Sequence, residues 1–194
     1  MAIPPGVAME TWKHLRAILV LPFMVTVVIP GTILWLAGPD TLGLWQSVPA
    51  TRVVLPVFGG ALLCMGLVLV VATIRLLVLV GQGTLAPWNP TQRLVVQGVY
   101  RHVRNPMIAG VFFVLLGEAV LAASLPLFGW FAVFVVVNAV YIPLTEEPGL
   151  VKRFGDEYLA YTQNVPRWIP RLRPWVGGES APDDKKPQRL IDKS

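Results

Sequence analysis

Four long apolar blocks, almost free of charge, constrain this chain more than any other feature. Residues 17–37 and 53–74 contain no Asp, Glu, Lys or Arg, and the second block continues past Arg75 to Val80. Residues 106–125 hold one acid, Glu118, and residues 127–144 hold nothing more polar than Asn138. A helix crosses hydrocarbon with roughly 20 residues at about 1.5 Å each. The first three blocks supply that length and the fourth approaches it. The expected fold is therefore all-α and integral to a membrane, with about four transmembrane helices over 17–37, 53–80, 106–125 and 127–145. Charged residues make up only 14% of the chain, against about 25% in soluble domains, so lipid replaces much of the usual core. One domain over 1–176 is expected, followed by a disordered polar tail, GGESAPDDKKPQRLIDKS, over 177–194. Pro22, Pro30 and Pro56 are expected to kink the first two helices.

Only Ser124, Leu125 and Pro126 separate the last two blocks, so these form an antiparallel C-terminal hairpin. The start of the third helix and the end of the fourth then share one surface. Lys13 and Arg16 precede the first block, and only Arg52 lies in the next loop. Arg93, Arg101 and Arg104 fall in 81–105, and Lys152, Arg153, Arg167, Arg171 and Arg173 follow the last block. Basic residues mark the cytoplasmic side. Both termini, the 81–105 loop and the Glu146–Glu147 pair are therefore expected there, in the cytoplasmic membrane of a prokaryote. The first block is too long for a cleavable signal peptide.

The net charge of +5 does not point to nucleic acid, because the basic residues flank apolar blocks and no recognition motif stands free of them. Cys64 is the single cysteine, excluding an intrachain disulfide, and is expected to be a small buried hydrophobe. With His14 and His102 the only histidines, no metal site is expected. No glycine-rich strand-to-helix fingerprint of a soluble dinucleotide fold occurs.

Polar residues concentrate in two segments, GQGTLAPWNPTQRLVVQGVYRHVRNP (81–106) and EEPGLVKRFGDEYLAYTQNVPRWIPR (146–171). The order Gly98-x-Tyr100, then Arg104-Asn105-Pro106, then Glu146-Glu147, then Phe154-Gly155-x-Glu157-Tyr158 with Tyr161, resembles the isoprenylcysteine carboxyl methyltransferase family and its phospholipid N-methyltransferase relatives. The resemblance covers about residues 80–170. It implies an integral membrane enzyme that binds S-adenosyl-L-methionine from the cytoplasm and methylates a lipid-borne or prenylated, hydrophobic acceptor. Gly81-Gln82-Gly83 matches a GxG of the lipid relatives. Members that methylate prenylcysteine place an arginine shortly before the double glutamate, and the family more often has His where this chain has Asn105. This chain has no such arginine, which weighs against a prenylcysteine carboxylate and leaves a phospholipid amine, an isoprenoid acid or another small hydrophobic acceptor.

The residues themselves fit such a cofactor, which needs acids for its hydroxyls and cations, basic or amide donors for its carboxylate, and apolar walls. Gly98, Tyr100, His102, Arg104, Asn105, Pro106, Tyr141, Glu146 and Glu147 are the candidate cofactor-binding residues. Pro106 suits the first position of a helix, where free backbone donors favour an anion. Adjacent helical residues point about 100° apart, so one of Glu146 and Glu147 faces the pocket, and Glu146 is favoured. Methyl transfer from a sulfonium requires mainly alignment and exclusion of water, but an ammonium acceptor must first lose a proton. His102, Arg104 and Glu118 are the candidate catalytic residues, and Tyr100 and Glu147 are further candidate bases. Asn138, Tyr141 and Thr145 are spaced to share a face, which either lines an acceptor tunnel or joins neighbouring helices by hydrogen bonds. Arg75 is expected to snorkel, Trp88 and Trp168 to sit at membrane boundaries, and Tyr158 and Tyr161 to pack. Two rival readings are an NADPH-dependent membrane reductase of sterol-reductase type and a non-enzymatic membrane scaffold.

Overall fold

The computed structural model describes residues 20–80 and 94–177, and every regular element among them is helical. Lys13, His14, Arg16, Gly81-Gln82-Gly83, Trp88, Arg93 and the 178–194 tail lie outside the described residues. The elements are α1 (Val20–Ala37), a short α2 (Leu44–Ser47), α3 (Thr51–Val80), a 3-10 turn (Gly98–Arg101), α4 (Pro106–Ala122), α5 (Leu125–Tyr141), a π turn (Ile142–Glu146) and α6 (Glu147–Asn164).

Three helical stretches among the described residues are long and apolar enough to cross a membrane: α1, Thr51–Leu76 within α3, and a stretch of the run Leu125–Asn164. The shorter apolar helix is the third, not the fourth: α4 has 17 residues. It stops early because Ala123 adopts φ 45°, turning the chain so that the Ser124 N–H returns to the Ala119 carbonyl at 3.2 Å. The fourth does not stop where its apolar block does. Its helix passes through the π turn as far as a kink at Gly155 (φ 54°, ψ −132°), beyond which a second helical segment runs to Asn164, so Glu146 and Glu147 sit inside a helical run rather than at a helix end.

The short helix is the centre of the bundle. Ala109, Val111, Val114, Leu115 and Ala119 of α4 are all at most 4% exposed. Its contact with α3 is made backbone to backbone at two glycine pairs. A Cβ on Gly66 would lie 2.6 Å from the Gly110 carbonyl oxygen, and one on Gly117 would lie 2.8 Å from that of Gly59. Within lipid, where apolar burial drives little association, such close approach supplies the van der Waals contact. The two pairs run in opposite order along the helices, fixing α3 and α4 antiparallel.

Prolines leave a second signature. A helical proline brings no N–H and crowds the carbonyl four residues back. Ahead of Pro30 the helix widens into a π turn over Met24–Val28, and the Ile29 N–H reaches back to Met24. That leaves the Val25 carbonyl without its usual donor, and Trp130 of α5 supplies one through Nε1 at 3.1 Å. At the same end of the bundle as the hairpin turn, the Asp40 and Leu42 N–H groups bond the Ala122 and Ala123 carbonyls at 2.8 and 3.2 Å. Cys64, expected to be buried, is exposed on the outer side of α3; only one side of that helix meets α4, and Cys64 falls on the other.

Alanine at Gly60, which has nothing within 4 Å of its would-be Cβ, is expected to stabilise the protein by about 0.5–1 kcal/mol through helix propensity. The same change at Gly66 should cost about 1–3 kcal/mol, because the atom it meets is backbone. Reversible unfolding in mixed detergent micelles reads both, and equal responses at the two sites would refute the glycine contact.

Candidate functional site

Opposite the hairpin turn, the chain gathers its polar residues around the start of α4. Gly98 opens the segment with φ 54°, and a Cβ there would lie 2.8 Å from Leu76 Cδ1 of α3. Glycine is therefore favoured by the positive φ of the turn, while the contact is with the flexible end of the Leu76 side chain. The 3-10 turn carries Tyr100 and Arg101, and the chain then reaches His102, Arg104, Asn105 and Pro106, the buried first residue of α4. No side chain caps this helix start.

A C-terminal strap, residues 165–175, follows α6 and runs along this segment. The Arg104 and Asn105 N–H groups donate to the Pro166 and Arg167 carbonyls at 2.9 and 3.3 Å, while the Arg171 and Trp175 N–H groups donate to the His102 and Arg101 carbonyls, both at 3.0 Å. His102 Nδ1 lies 2.7 Å from the Arg171 carbonyl oxygen. A carbonyl only accepts, so Nδ1 carries the proton and Nε2 is the nitrogen left open. Behind the strap, Tyr158, Tyr161, Val96 and Val165 form a small core against Trp175, and the Tyr161 hydroxyl donates to the Tyr100 carbonyl at 2.7 Å. The packing roles expected of Tyr158 and Tyr161 hold. Trp168 turns inward, its ring 5.2 Å from that of Phe112 in α4.

Across this assembly lies one carboxylate held by two guanidinium groups. Glu147 Oε1 accepts from Arg104 at 3.0 Å and from Arg167 Nε at 2.7 Å, and Oε2 accepts from Arg167 at 2.8 Å. The Arg104 and Glu147 side chains are 10% and 15% exposed, so the pair is shielded enough to matter. Hydrogen bonding to Glu147 raises the Arg167 pKa. Arg104 Nε is buried and has no partner, and the Tyr158 phenol lies beside the same guanidinium.

Glu146 behaves differently. It is exposed and makes no hydrogen bond or ion pair among the described residues. The π turn explains the contrast. Pro148 has no N–H, and the Glu147 N–H reaches back five residues to Ile142, widening the turn on which Glu146 sits. Single π turns of this kind recur at functional sites. Burial, and then the nearby Glu146 charge, push the Tyr100 phenol well above its ordinary range, which favours its protonated form.

The structure brings together Gly98, Tyr100, His102, Arg104, Asn105, Pro106, Glu146 and Glu147, and it leaves two candidates apart. Glu118 lies twelve positions along α4 from Pro106, about 18 Å at the helical rise, with a buried Oε2 that has no partner. Tyr141 is 54% exposed and lines an outward groove of about 460 Å³ with Val136, Val137, Val140, Leu144 and Thr145. The expected Asn138–Tyr141–Thr145 stripe is split: Asn138 is buried and donates to the Phe134 carbonyl at 2.8 Å. Residues three apart differ by about 60° around a helix, and the boundary between inner and outer faces passes between Asn138 and Tyr141. Arg167 was not among the expected site residues. Its one sequence signal is a basic residue set between two prolines and a tryptophan, P-R-W-I-P, which orders the backbone around it.

An apolar helical bundle with most of its ionisable groups collected at one end defines an integral membrane protein. The phospholipid methyltransferase family model matches residues 54–157, more than half of the chain, and the chain belongs to that family, a family of membrane methyltransferases. No curated protein is significantly similar to it. The matched region runs from α3 into α6 and stops before Arg167.

Replacing Glu147 by Ala leaves two cations without their shared anion and should cost about 2 kcal/mol of stability, read as a lower denaturation midpoint. Pro148→Ala restores the missing N–H and is expected to raise that midpoint while weakening ligand binding, since closing the π turn rotates Glu146. A Pro148→Ala protein with unchanged stability would refute the assignment of the π turn to proline.

Proposed function

We propose that the protein transfers a methyl group from S-adenosyl-L-methionine to a lipid-borne or small hydrophobic acceptor at one membrane face, with a phospholipid amine the acceptor that the family favours. The observation that carries this reading is the unpaired, exposed carboxylate of Glu146 beside the doubly paired Glu147, next to an Arg104 with a buried donor to spare. These residues suit the cofactor. Glu146 is free for ribose hydroxyls or the cofactor's ammonium, Arg104 retains Nε for a carboxylate, and the backbone donors at the start of α4 add to that preference. When bound, the cofactor supplies a methyl group already activated on a sulfonium.

The chain's own contribution is alignment and exclusion of water. Tyr158 and Tyr161 pack Val96 and Val165 beneath the segment, and the strap holds His102 to Asn105 in place. An amine acceptor needs a base. Tyr100 retains its proton and Glu147 is committed to two arginines, whereas His102 keeps Nε2 open, so His102 takes that role. The distribution of arginines supports a cytoplasmic position for this face.

Calorimetry with the detergent-purified protein tests the reading. S-adenosyl-L-methionine and S-adenosylhomocysteine are expected to bind saturably and NADPH not at all. Glu146→Ala should weaken the adenosyl ligands by about tenfold or more with helix content intact. Unchanged affinity in that variant refutes the role of Glu146, and binding of NADPH alone refutes the methyltransferase reading.

A further inference from the structure

The shared carboxylate of Glu147 raises a question that the family match does not reach: why does a site with one buried acid surround it with two arginines? The contacts are unequal. Arg167 engages both oxygens, through Nε at 2.7 Å and NH2 at 2.8 Å, while Arg104 touches only Oε1, at 3.0 Å. A two-pronged guanidinium–carboxylate contact is the stronger arrangement. Glu147 is thus satisfied by Arg167, and Arg104 is left as the more weakly held of the two cations, with one contact to Glu147 and the unpaired Glu146 carboxylate nearby. Its side chain is 10% exposed and its buried Nε has no partner. A shielded guanidinium with an unused donor favours an incoming anion.

We propose that Arg167 is a positioning residue that occupies Glu147 and thereby keeps Arg104 available for the carboxylate of the adenosyl cofactor. The proposal rests on the methyltransferase reading above and assigns a regulatory contact within that same site to a strap outside the family-matched region. With Arg167 absent, Glu147 has Arg104 as its remaining arginine partner. The two close into a neutral pair, and the protein's own carboxylate competes with that of the ligand. Truncating the Arg167 side chain leaves its backbone carbonyl, which accepts from Asn105, in place, so the strap keeps its seat.

The test compares two probes by calorimetry: S-adenosylhomocysteine, which carries the amino-acid carboxylate, and 5′-methylthioadenosine, which keeps the adenosine but lacks that carboxylate. Arg167→Ala is expected to weaken S-adenosylhomocysteine by about tenfold and to leave 5′-methylthioadenosine unchanged. Adding Glu147→Gln to Arg167→Ala removes the competing charge, and S-adenosylhomocysteine affinity should return most of the way. A clamp of purely structural value predicts the opposite: both probes weaken together, and the double variant, having lost a further ion pair, binds no better than the single one. Either result, or unchanged affinity in Arg167→Ala, overturns the proposal. Circular dichroism and thermal midpoints confirm that each variant remains folded. If the unaltered protein binds neither probe, the methyltransferase reading itself fails and the role of Arg167 falls with it.

Discussion

Within hydrocarbon no water is at hand to bond a stray backbone N–H or C=O, and every such group must find its partner in the protein. Much of this structure is a set of answers to that demand. Helices satisfy most groups internally, and the exceptions occur where proline removes a donor. Ahead of Pro30 the helix widens, and the carbonyl thereby released on Val25 is taken up by the indole of Trp130, which ties α1 to α5. At the hairpin turn, the Asp40–Leu42 loop caps the carbonyls of Ala122 and Ala123. The same device at Pro148 falls where the run leaves its apolar block. There the widened turn carries Glu146, an exposed side chain with a charge to offer.

The site is built on the other consequence of lipid burial, the cost of an unpaired charge. Glu147 and Arg104 are mostly shielded, and each alone would be expensive. Their contact joins the end of the hairpin's second arm to the start of its first, and Arg167 brings in the strap. One carboxylate therefore fastens three segments far apart in sequence. The adjacent glutamates therefore differ: the paired one fastens the segments, and the unpaired one is the carboxylate proposed for the cofactor.

Much of this was legible in the sequence because hydrophobicity is additive along the chain. The spans, the tight hairpin and the meeting of Arg104 with the double glutamate follow from block lengths and one short connection. Side-chain direction was less accessible. The split between Asn138 and Tyr141 depends on how α5 is rotated against its neighbours, and a spacing of three residues leaves about 60° undecided. Cys64 failed for the same reason, since an all-apolar helix gives no sign of which side meets protein and which meets lipid. The glycine pairs were visible, at 59 and 66 and at 110 and 117, but a glycine in an apolar run acquires meaning only once its partner helix is known. Arg167 was counted as an orientation charge, and its pairing with Glu147 depends on the path of the strap.

The shortness of α4 connects these threads. A helix of 17 residues spans about 26 Å, less than the hydrocarbon thickness of about 30 Å. Were it lipid-facing throughout, its ends would be drawn into the bilayer. It is instead enclosed by its neighbours, pressed onto α3 at glycines and capped by a loop at one end. Its other end, with Pro106 and the free donors of the first turn, can therefore sit below the level at which α3 and the α5–α6 run emerge. The proposed reaction joins a water-soluble methyl donor to a membrane-borne acceptor, and the glycine contact between α3 and α4 fixes where the start of α4 lies for it.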